Sequence, residues 1–164
     1  MEPDGGGEPR TQRARILVIS DGVASGSRED LGGPALRRRL EDAGFSVDDV
    51  RVTGDGAETV ASALTGLCSR FNGLVATTGG TGFGPRDLTP EGTAKIVDRE
   101  APGLAEAMRL VNPLGRLSRG IAGTRDQALI LNLPGSPTGA VECLEAVLDV
   151  VPHAIELLGG GRPH

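Results

Sequence analysis

The chain has 164 residues, with 17 basic and 22 acidic side chains and a formal charge of −5 at pH 7. This length predicts one domain whose core is large enough to fold without a disulfide or a structural metal. The acidic balance and an aromatic content of three Phe, with no Trp or Tyr, exclude a basic footprint and a stacking platform for bases, so we expect no nucleic-acid partner.

The sequence has few cysteines and histidines and no long apolar run. Cys68 and Cys143 lie in stretches with helical spacing of apolar residues, which favours buried packing over chemistry. With only His153 and His164 and no CxxC pair, a zinc site or a Ser-His-Asp triad lacks its parts. No apolar run approaches the roughly 18 residues that cross a bilayer, so we expect a cytoplasmic protein without membrane contact.

Gly- and Pro-rich composition marks both ends of the chain. It predicts a disordered tail over residues 1–13 and a flexible tail over 159–164, around one domain at 14–158. The domain opens with the apolar run Ile16 to Ile19, which predicts a strand buried on both faces. Helical spacing then begins at Pro34, and Gly44 stands where a C-terminal cap glycine is expected.

The same order of strand and helix recurs along the chain. Valines at 47, 50 and 52 predict a second strand, and apolar residues from Val60 to Phe71 have helical spacing. Leu74 to Ala76 predicts a third strand, with Thr89 and Pro90 as cap and first residue of the next helix. Residues 128–133 predict a fourth strand before a helical stripe that Pro152 interrupts. This alternation predicts a three-layer α/β domain, a mostly parallel sheet with helices on both faces.

Polar or glycine-rich loops follow the four predicted strands. They begin at Ser20, Gly54, Thr77 and Asn132. Because ligands of such sheets bind beyond the carboxyl ends of the strands, we expect these loops to meet at one rim. The loop from Thr78 to Gly82 reads TGGTG, and its backbone N–H groups suit an anion such as phosphate. A flexible connection is the alternative, since neither G-x-G-x-x-G nor a P-loop motif occurs.

Two acidic residues accompany this predicted anion site. Asp87 follows the glycine loop and Asp55 lies between two glycines. A carboxylate beside a phosphate requires a divalent cation or a proton donor, and the pair could hold one Mg²⁺ with phosphate and water completing the octahedron. The alternatives are backbone capping by Asp87 and a turn role for Asp55.

Arginines must offset most of the phosphate charge, because Lys95 is the only lysine. Arg86 and Arg119 are the candidates, since a guanidinium can grip phosphate through two parallel hydrogen bonds.

Together, these strings resemble the MogA/MoaB molybdopterin-binding family over nearly the whole chain. The shared strings begin at Ser20 and include residues 78–82, 86–91, 117–119 and 132–137, in the family's order. The resemblance implies a Rossmann-like domain, a homotrimer and binding of molybdopterin. In the enzyme members it implies adenylylation: the terminal phosphate of molybdopterin attacks the α-phosphorus of ATP bound with Mg²⁺, and pyrophosphate is released.

The resemblance also implies roles for individual residues. It makes Asp55 and Asp87 catalytic residues that hold magnesium or orient substrate. It implies substrate binding by Ser20, Asp21, Asp30, Thr78, Gly79, Gly80, Thr81, Gly82, Arg86, Ser118, Arg119, Asn132, Pro134, Gly135 and Ser136. The string around Asp87 favours an adenylyltransferase, and the alternative is a non-catalytic MoaB-like carrier or assembly protein. A transient contact with the molybdenum-inserting enzyme of the pathway is a further expectation.

Overall fold

Residues 11–161 are described by a computed structural model, and in this range the chain forms six strands and seven α-helices. The strands are β1 (Arg13–Ile19), β2 (Ser46–Thr53), β3 (Gly73–Thr78), β4 (Arg99–Glu100), β5 (Ala122–Arg125) and β6 (Ala128–Leu133). The helices are α1 (Asp21–Ala24), α2 (Gly32–Asp42), α3 (Ala57–Cys68), α4 (Thr89–Ala94), α5 (Pro102–Leu110), α6 (Pro137–Glu145) and α7 (Val151–Leu158), with a 3-10 helix at Pro113–Leu117. None of these helices is both long and apolar enough to cross a membrane.

The strands form one sheet in the order β2-β1-β3-β6-β5-β4. Neighbours among β2, β1, β3 and β6 are parallel, whereas β5 is antiparallel to both β6 and β4. In the centre, Ile16 pairs with Val50 on one side and with Ala76 on the other. The connection from β1 leads to β2 on one side, and the connection from β2 leads to β3 on the other side of β1, so the strand order reverses at β1. Sheets with this topology bind ligands in the crevice beyond the carboxyl ends of the strands at that point, here β1 and β3.

Alternate side chains of β1 enter two separate cores. Ile16 and Val18 pack in the larger core, with α2, α5, α6 and α7, whereas Leu17 and Ile19 pack with α3. A strand covered on both faces reads as an unbroken apolar run, which explains the Ile16–Ile19 pattern. The predicted three-layer α/β fold with a mostly parallel sheet is confirmed.

Both cysteines are buried, as their helical spacing predicts. Burial raises the pKa of the Cys68 thiol to about 12 and also raises the pKa of Cys143. A thiol in this state stays protonated at neutral pH and packs as a small apolar group.

The ordered fold extends past both predicted tail boundaries. Strand β1 starts at Arg13, inside the expected N-terminal tail. The backbone N–H groups of residues 159–161 donate to the carbonyls of Ile155, Leu157 and Glu156, so these glycines close α7 instead of starting a tail. The remainder of each predicted tail, residues 1–10 and 162–164, lies outside the described residues.

The start of α4 differs from its prediction. Leu88 is the residue before the helix and Thr89 is its first residue, so Thr89 is not the cap. The Thr89 hydroxyl instead donates to the carbonyl of Gly79 at 2.9 Å. The side chain that was expected to cap a helix thus holds the glycine loop.

Candidate active site

A cleft of about 790 Å³ lies at the carboxyl ends of the parallel strands. Its lining includes Ser20 after β1, Asp55 after β2, residues 78–82 after β3, and residues 134–135 after β6. The carboxyl ends of parallel strands share one edge of a sheet, so loops far apart in sequence meet there. The predicted common rim is confirmed.

The glycine loop has a shape that only glycine permits. Gly79 and Gly80 have φ values of +103° and +70°, in the region that L side chains rarely adopt. A Cβ atom on Gly79 would overlap the carbonyl oxygen of Ile19, and one on Gly80 would overlap the hydroxyl of Thr89. The two glycines therefore allow the loop to lie directly against β1 and α4.

All four carbonyls of residues 79–82 accept hydrogen bonds from the protein. Thr89 donates to the first two, through its hydroxyl at 2.9 Å and its N–H at 3.0 Å. Arg119 donates to the other two, through its N–H and its Nε, both at 2.8 Å. In a trans peptide, a carbonyl and the following N–H point in opposite directions, and no peptide bond here is cis. Each N–H group of residues 80–83 therefore points away from the donor that holds the preceding carbonyl.

Arg119 braces this loop and does not line the cleft. Besides the loop carbonyl, its guanidinium donates to the backbone oxygen of Asp87 at 2.6 Å and to the carboxylate of Glu91 at 2.7 and 2.9 Å. The hydrogen bond from Arg119 holds the pKa of Glu91 below its ordinary value. Four hydrogen bonds of the guanidinium thus go to protein acceptors, and the expected contact of Arg119 with a phosphate stays a prediction.

Arg86 is likewise bound to protein groups. It donates to the two carboxylate oxygens of Asp21 at 2.6 and 3.2 Å and to the carbonyl of Asp55 at 3.1 Å. The hydrogen bond between the Arg86 guanidinium and the Asp21 carboxylate holds the pKa of Asp21 below its ordinary value. Asp21 and Arg86 thus form an ion pair beside the cleft, and neither is among its lining residues.

Asp21 also fixes the position of Asp55. Each carboxylate accepts a hydrogen bond from the other residue's backbone N–H, at 2.9 and 3.0 Å. Gly54 permits this approach, since a Cβ atom there would be 3.0 Å from Asp21 Oδ1. The absence of a side chain at Gly54 therefore leaves room for the carboxylate that holds Asp55.

The two predicted magnesium ligands both line the cleft. Asp87 Oδ2 accepts from the N–H of Gly84 at 2.9 Å, and Asp55 Oδ2 accepts from Asp21. Each carboxylate has a second oxygen that can face a ligand. Within residues 11–161, no group of three or more His, Cys, Asp or Glu side chains could hold a metal. The chemistry of the donors therefore fits Mg²⁺ only where substrate phosphates and water supply the other ligands, as is usual for this ion.

Several predicted binding residues have structural partners of their own. Ser20 accepts from Val23 N–H, Asp30 accepts from Gly33 N–H, and Thr78 donates to the Pro134 carbonyl. All three side chains belong to residues that line the cleft. Their hydrogen bonds fix the loops that follow β1, β3 and β6.

Asn132 lies buried near the end of β6 and lines a second cavity beside the cleft. Its amide donates to the hydroxyls of Thr77 and Thr93, and its oxygen accepts from Ile121 N–H. Both donor hydrogens are therefore used within the protein. These bonds tie β6 to β3 and α4, and the expected contact of Asn132 with substrate stays a prediction.

The remaining predicted binding residues, Ser118 and Ser136, both line the same second cavity beside the cleft. Ser118 lines the cleft and accepts from Gly120 N–H at 3.2 Å. Ser136 caps α6 through Gly139 N–H and lies outside the cleft lining.

The sequence prediction missed a cleft arginine. Arg28 lines the cleft, together with Glu29 and Leu31. All three lie in the segment between β1 and α2. Because ligands bind beyond the carboxyl ends of parallel strands, the same argument that selected Ser20 could have selected Arg28. Leu114 and Leu117 reach the cleft from the 3-10 helix, which no pattern predicted.

Comparison with known proteins shows the family to which this chain belongs. Residues 15–153 match the family described as "Probable molybdopterin binding domain", and the chain belongs to it. The molybdopterin adenylyltransferase of Escherichia coli K12 is 39% identical, over 92% of this chain and 87% of that protein. The protein of the same name from Helicobacter pylori 26695 is 37% identical, over 88% and 86%. Among solved structures, the molybdopterin biosynthesis enzyme MoaB of Thermus thermophilus is 46% identical, with a TM-score of 0.86 over 91% of this chain and 97% of that one.

Proposed function

We propose that the protein is a molybdopterin adenylyltransferase of molybdenum cofactor biosynthesis. An oxygen of the terminal phosphate of molybdopterin attacks the α-phosphorus of ATP, and the bond from that phosphorus to the pyrophosphate oxygen breaks. The observation that best supports the proposal is the glycine loop, which lines the cleft and whose four carbonyls are all bonded to Thr89 and Arg119, opposite its amides. Relatives named for this activity, 37% and 39% identical over most of their length, support it as well.

The residues of the cleft suit a reaction that a protein accelerates by positioning the substrates and neutralising their charge. The attacking oxygen belongs to the substrate, so the protein needs no Ser, Cys or His nucleophile. Amides 80–83 bind phosphate oxygens, and Arg28 supplies the cation that faces them. Asp55 and Asp87 would hold Mg²⁺, which when bound neutralises phosphate charge.

The test is turnover by the full chain. Purified protein is incubated with molybdopterin, ATP and MgCl₂, and pyrophosphate and adenylylated pterin are both quantified. The proposal requires the two products in equal amounts. An absence of product above the protein-free background would reject catalysis.

A pterin carrier without catalysis is the second candidate, because the family that residues 15–153 match is described by molybdopterin binding alone. A carrier binds molybdopterin with no magnesium-dependent affinity for ATP. Calorimetric titration of ATP with and without MgCl₂ separates the two, because an enzyme must bind both ligands in adjoining parts of one cleft.

We also propose a homotrimer in the cytoplasm that passes its product to the molybdenum-inserting enzyme. Large apolar side chains exposed around the end of α5 support association of copies, among them Leu110 at 84% and Leu114 at 72% exposure. Exposed apolar patches of this kind mark interaction surfaces. Light scattering coupled to size exclusion should give three times the 16.8 kDa chain mass, and a monomer at micromolar concentration would contradict the trimer.

A further inference from the structure

A series of hydrogen bonds between buried residues joins β6 to the glycine loop. Its members are Asn132, Thr93 and Thr89, which are 2%, 0% and 0% exposed. Asn132 Nδ2 donates to the Thr93 hydroxyl at 3.0 Å. That hydroxyl donates to the carbonyl of Thr89 at 2.8 Å, and the Thr89 hydroxyl donates to the carbonyl of Gly79 at 2.9 Å. The series therefore starts at a residue of the second cavity and ends on the loop that lines the cleft.

Thr93 stands in the middle of this series and lines neither the cleft nor the second cavity. A threonine hydroxyl has one hydrogen to donate and lone pairs that accept. Here the hydrogen goes to the Thr89 carbonyl, and a lone pair accepts from Asn132. Thr93 can therefore affect a bound ligand only through its neighbours.

Thr89 lies in direct contact with the glycine loop. Besides its hydroxyl bond to Gly79, its N–H donates to the carbonyl of Gly80 at 3.0 Å. A Cβ atom on Gly80 would overlap the Thr89 hydroxyl oxygen, so the loop backbone touches this side chain. Groups packed at interior density have no room to move independently. A displacement of Thr89 is therefore passed on to the loop and to its amides.

We infer that Thr93 is a positioning residue for the glycine loop, acting through Thr89. The inference rests on the proposed function, in which the amides of this loop bind phosphate oxygens of ATP. The Thr93 hydroxyl is fixed by Asn132 on β6, and it holds the carbonyl of Thr89 at the start of α4. Its removal leaves a buried amide hydrogen of Asn132 without an acceptor, and the network must shift to satisfy that group.

Packing of α4 against α3 is the other contact that could place Thr89. Gly92 lies directly against α3, where a Cβ atom would be 2.8 Å from Cβ of Val60. If this packing alone set the position of α4, the Thr93 hydroxyl would contribute to stability and not to ligand binding. The two roles are separable, because the hydroxyl and the methyl group of Thr93 can be removed one at a time.

The test compares Thr93→Val, which keeps the branched shape and removes the hydroxyl, with Thr93→Ser, which keeps the hydroxyl and removes the methyl group. Thr65→Val is the matched control for the chemical change. Thr65 also donates to the carbonyl four residues earlier, that of Ala61, at 2.8 Å, but it lies on α3 and outside the cleft lining. ATP with MgCl₂ is titrated into each full-length protein by calorimetry, and thermal melting gives each Tm.

We expect Thr93→Val to bind ATP about three- to tenfold more weakly than wild type, the effect of one lost hydrogen bond. Thr93→Ser should bind ATP as wild type does, although loss of a buried methyl group lowers its Tm. Thr65→Val should also match the wild-type affinity. If Thr93→Val does not fold, Thr93→Ala replaces it, and its comparison with Thr93→Ser still isolates the hydroxyl.

Unchanged ATP affinity in the folded variant without the hydroxyl would overturn the inference. An equal loss of affinity in Thr93→Ser would overturn it as well, because affinity would then follow packing. Turnover is measured in parallel with the titrations. Wild-type protein that binds ATP but forms no product rejects the proposed activity, while the affinities still decide the inference; wild-type protein that binds no ATP overturns both.

Discussion

Asp21 and Asp55 exchange hydrogen bonds, each carboxylate accepting from the other's backbone N–H at 2.9 and 3.0 Å. One residue follows β1 and the other follows β2, so the exchange joins the two loops. Arg86 then binds the Asp21 carboxylate and the Asp55 carbonyl. The orientation of a proposed catalytic carboxylate is therefore fixed by an ion pair outside the cleft lining.

This relationship gives a pH-dependent prediction for Asp21→Asn. The Arg86 hydrogen bond lowers the folded-state pKa of Asp21. A depressed folded pKa stabilises the fold above the unfolded-state value, and this stabilisation is lost as pH falls through the folded value. The Tm of Asp21→Asn should be slightly below that of wild type at about pH 7, and the gap should narrow as the pH falls below about 4, the ordinary pKa of an aspartate. Differential scanning calorimetry across this range checks it, and a gap that is constant with pH would contradict it.

Asp55→Asn and Asp87→Asn should each slow the chemical step. Both variants remove a negative charge proposed to hold magnesium but keep an oxygen that can accept the observed backbone hydrogen bond. We expect kcat to fall by about 10²-fold or more, the range found when one electrostatic group of an active site is removed, with Tm within about 2 °C of wild type. Asp49→Asn, at a half-buried position of β2 where Asp49 pairs with Arg51, is the control and should retain full activity. Normal turnover by both cleft variants would reject the magnesium role.

Gly79→Ala should destabilise the fold much more than Gly26→Ala. Both positions have positive φ, +103° and +79°, so each alanine incurs roughly 1–2 kcal/mol for the left-handed backbone. Only Gly79 is also crowded, by the carbonyl of Ile19, whereas nothing lies within 4 Å of a Cβ atom at Gly26. Urea unfolding should show a further loss of about 2 kcal/mol at Gly79. Equal losses would mean that the contact with β1 is not tight.

Arg28→Ala should weaken ATP binding without changing stability. Arg28 lines the cleft, and loss of a hydrogen bond from a charged donor to phosphate corresponds to about tenfold in affinity. Initial rates at varied ATP should show that increase in KM. Arg38→Ala on the exposed face of α2 serves as the control, and unchanged KM in both variants would remove Arg28 from the phosphate site.

Local sequence patterns were sufficient for the central sheet and its loops. The runs at 16–19 and 128–133 are apolar because both faces of β1 and β6 are covered, and this unbroken pattern identifies a buried strand. Parallel strands place their following loops at one edge, so Ser20, Asp55 and the glycine loop could be grouped with no contact information. The short strands β4 and β5 had no such signal, because two and four residues are too few for a period to emerge.

The sequence by itself determined the α/β class, the glycine-rich loop, the two acids at the cleft and the family, since these depend on periodicity and on residue types within short strings. The tertiary structure alone decided which charges face the cleft. Arg86 is paired with Asp21, 65 residues away, Arg119 is bound to loop carbonyls, and Arg28 lines the cleft in their place. A guanidinium binds whichever acceptor the fold brings within about 3 Å, and residue type or spacing along the chain does not specify that neighbour.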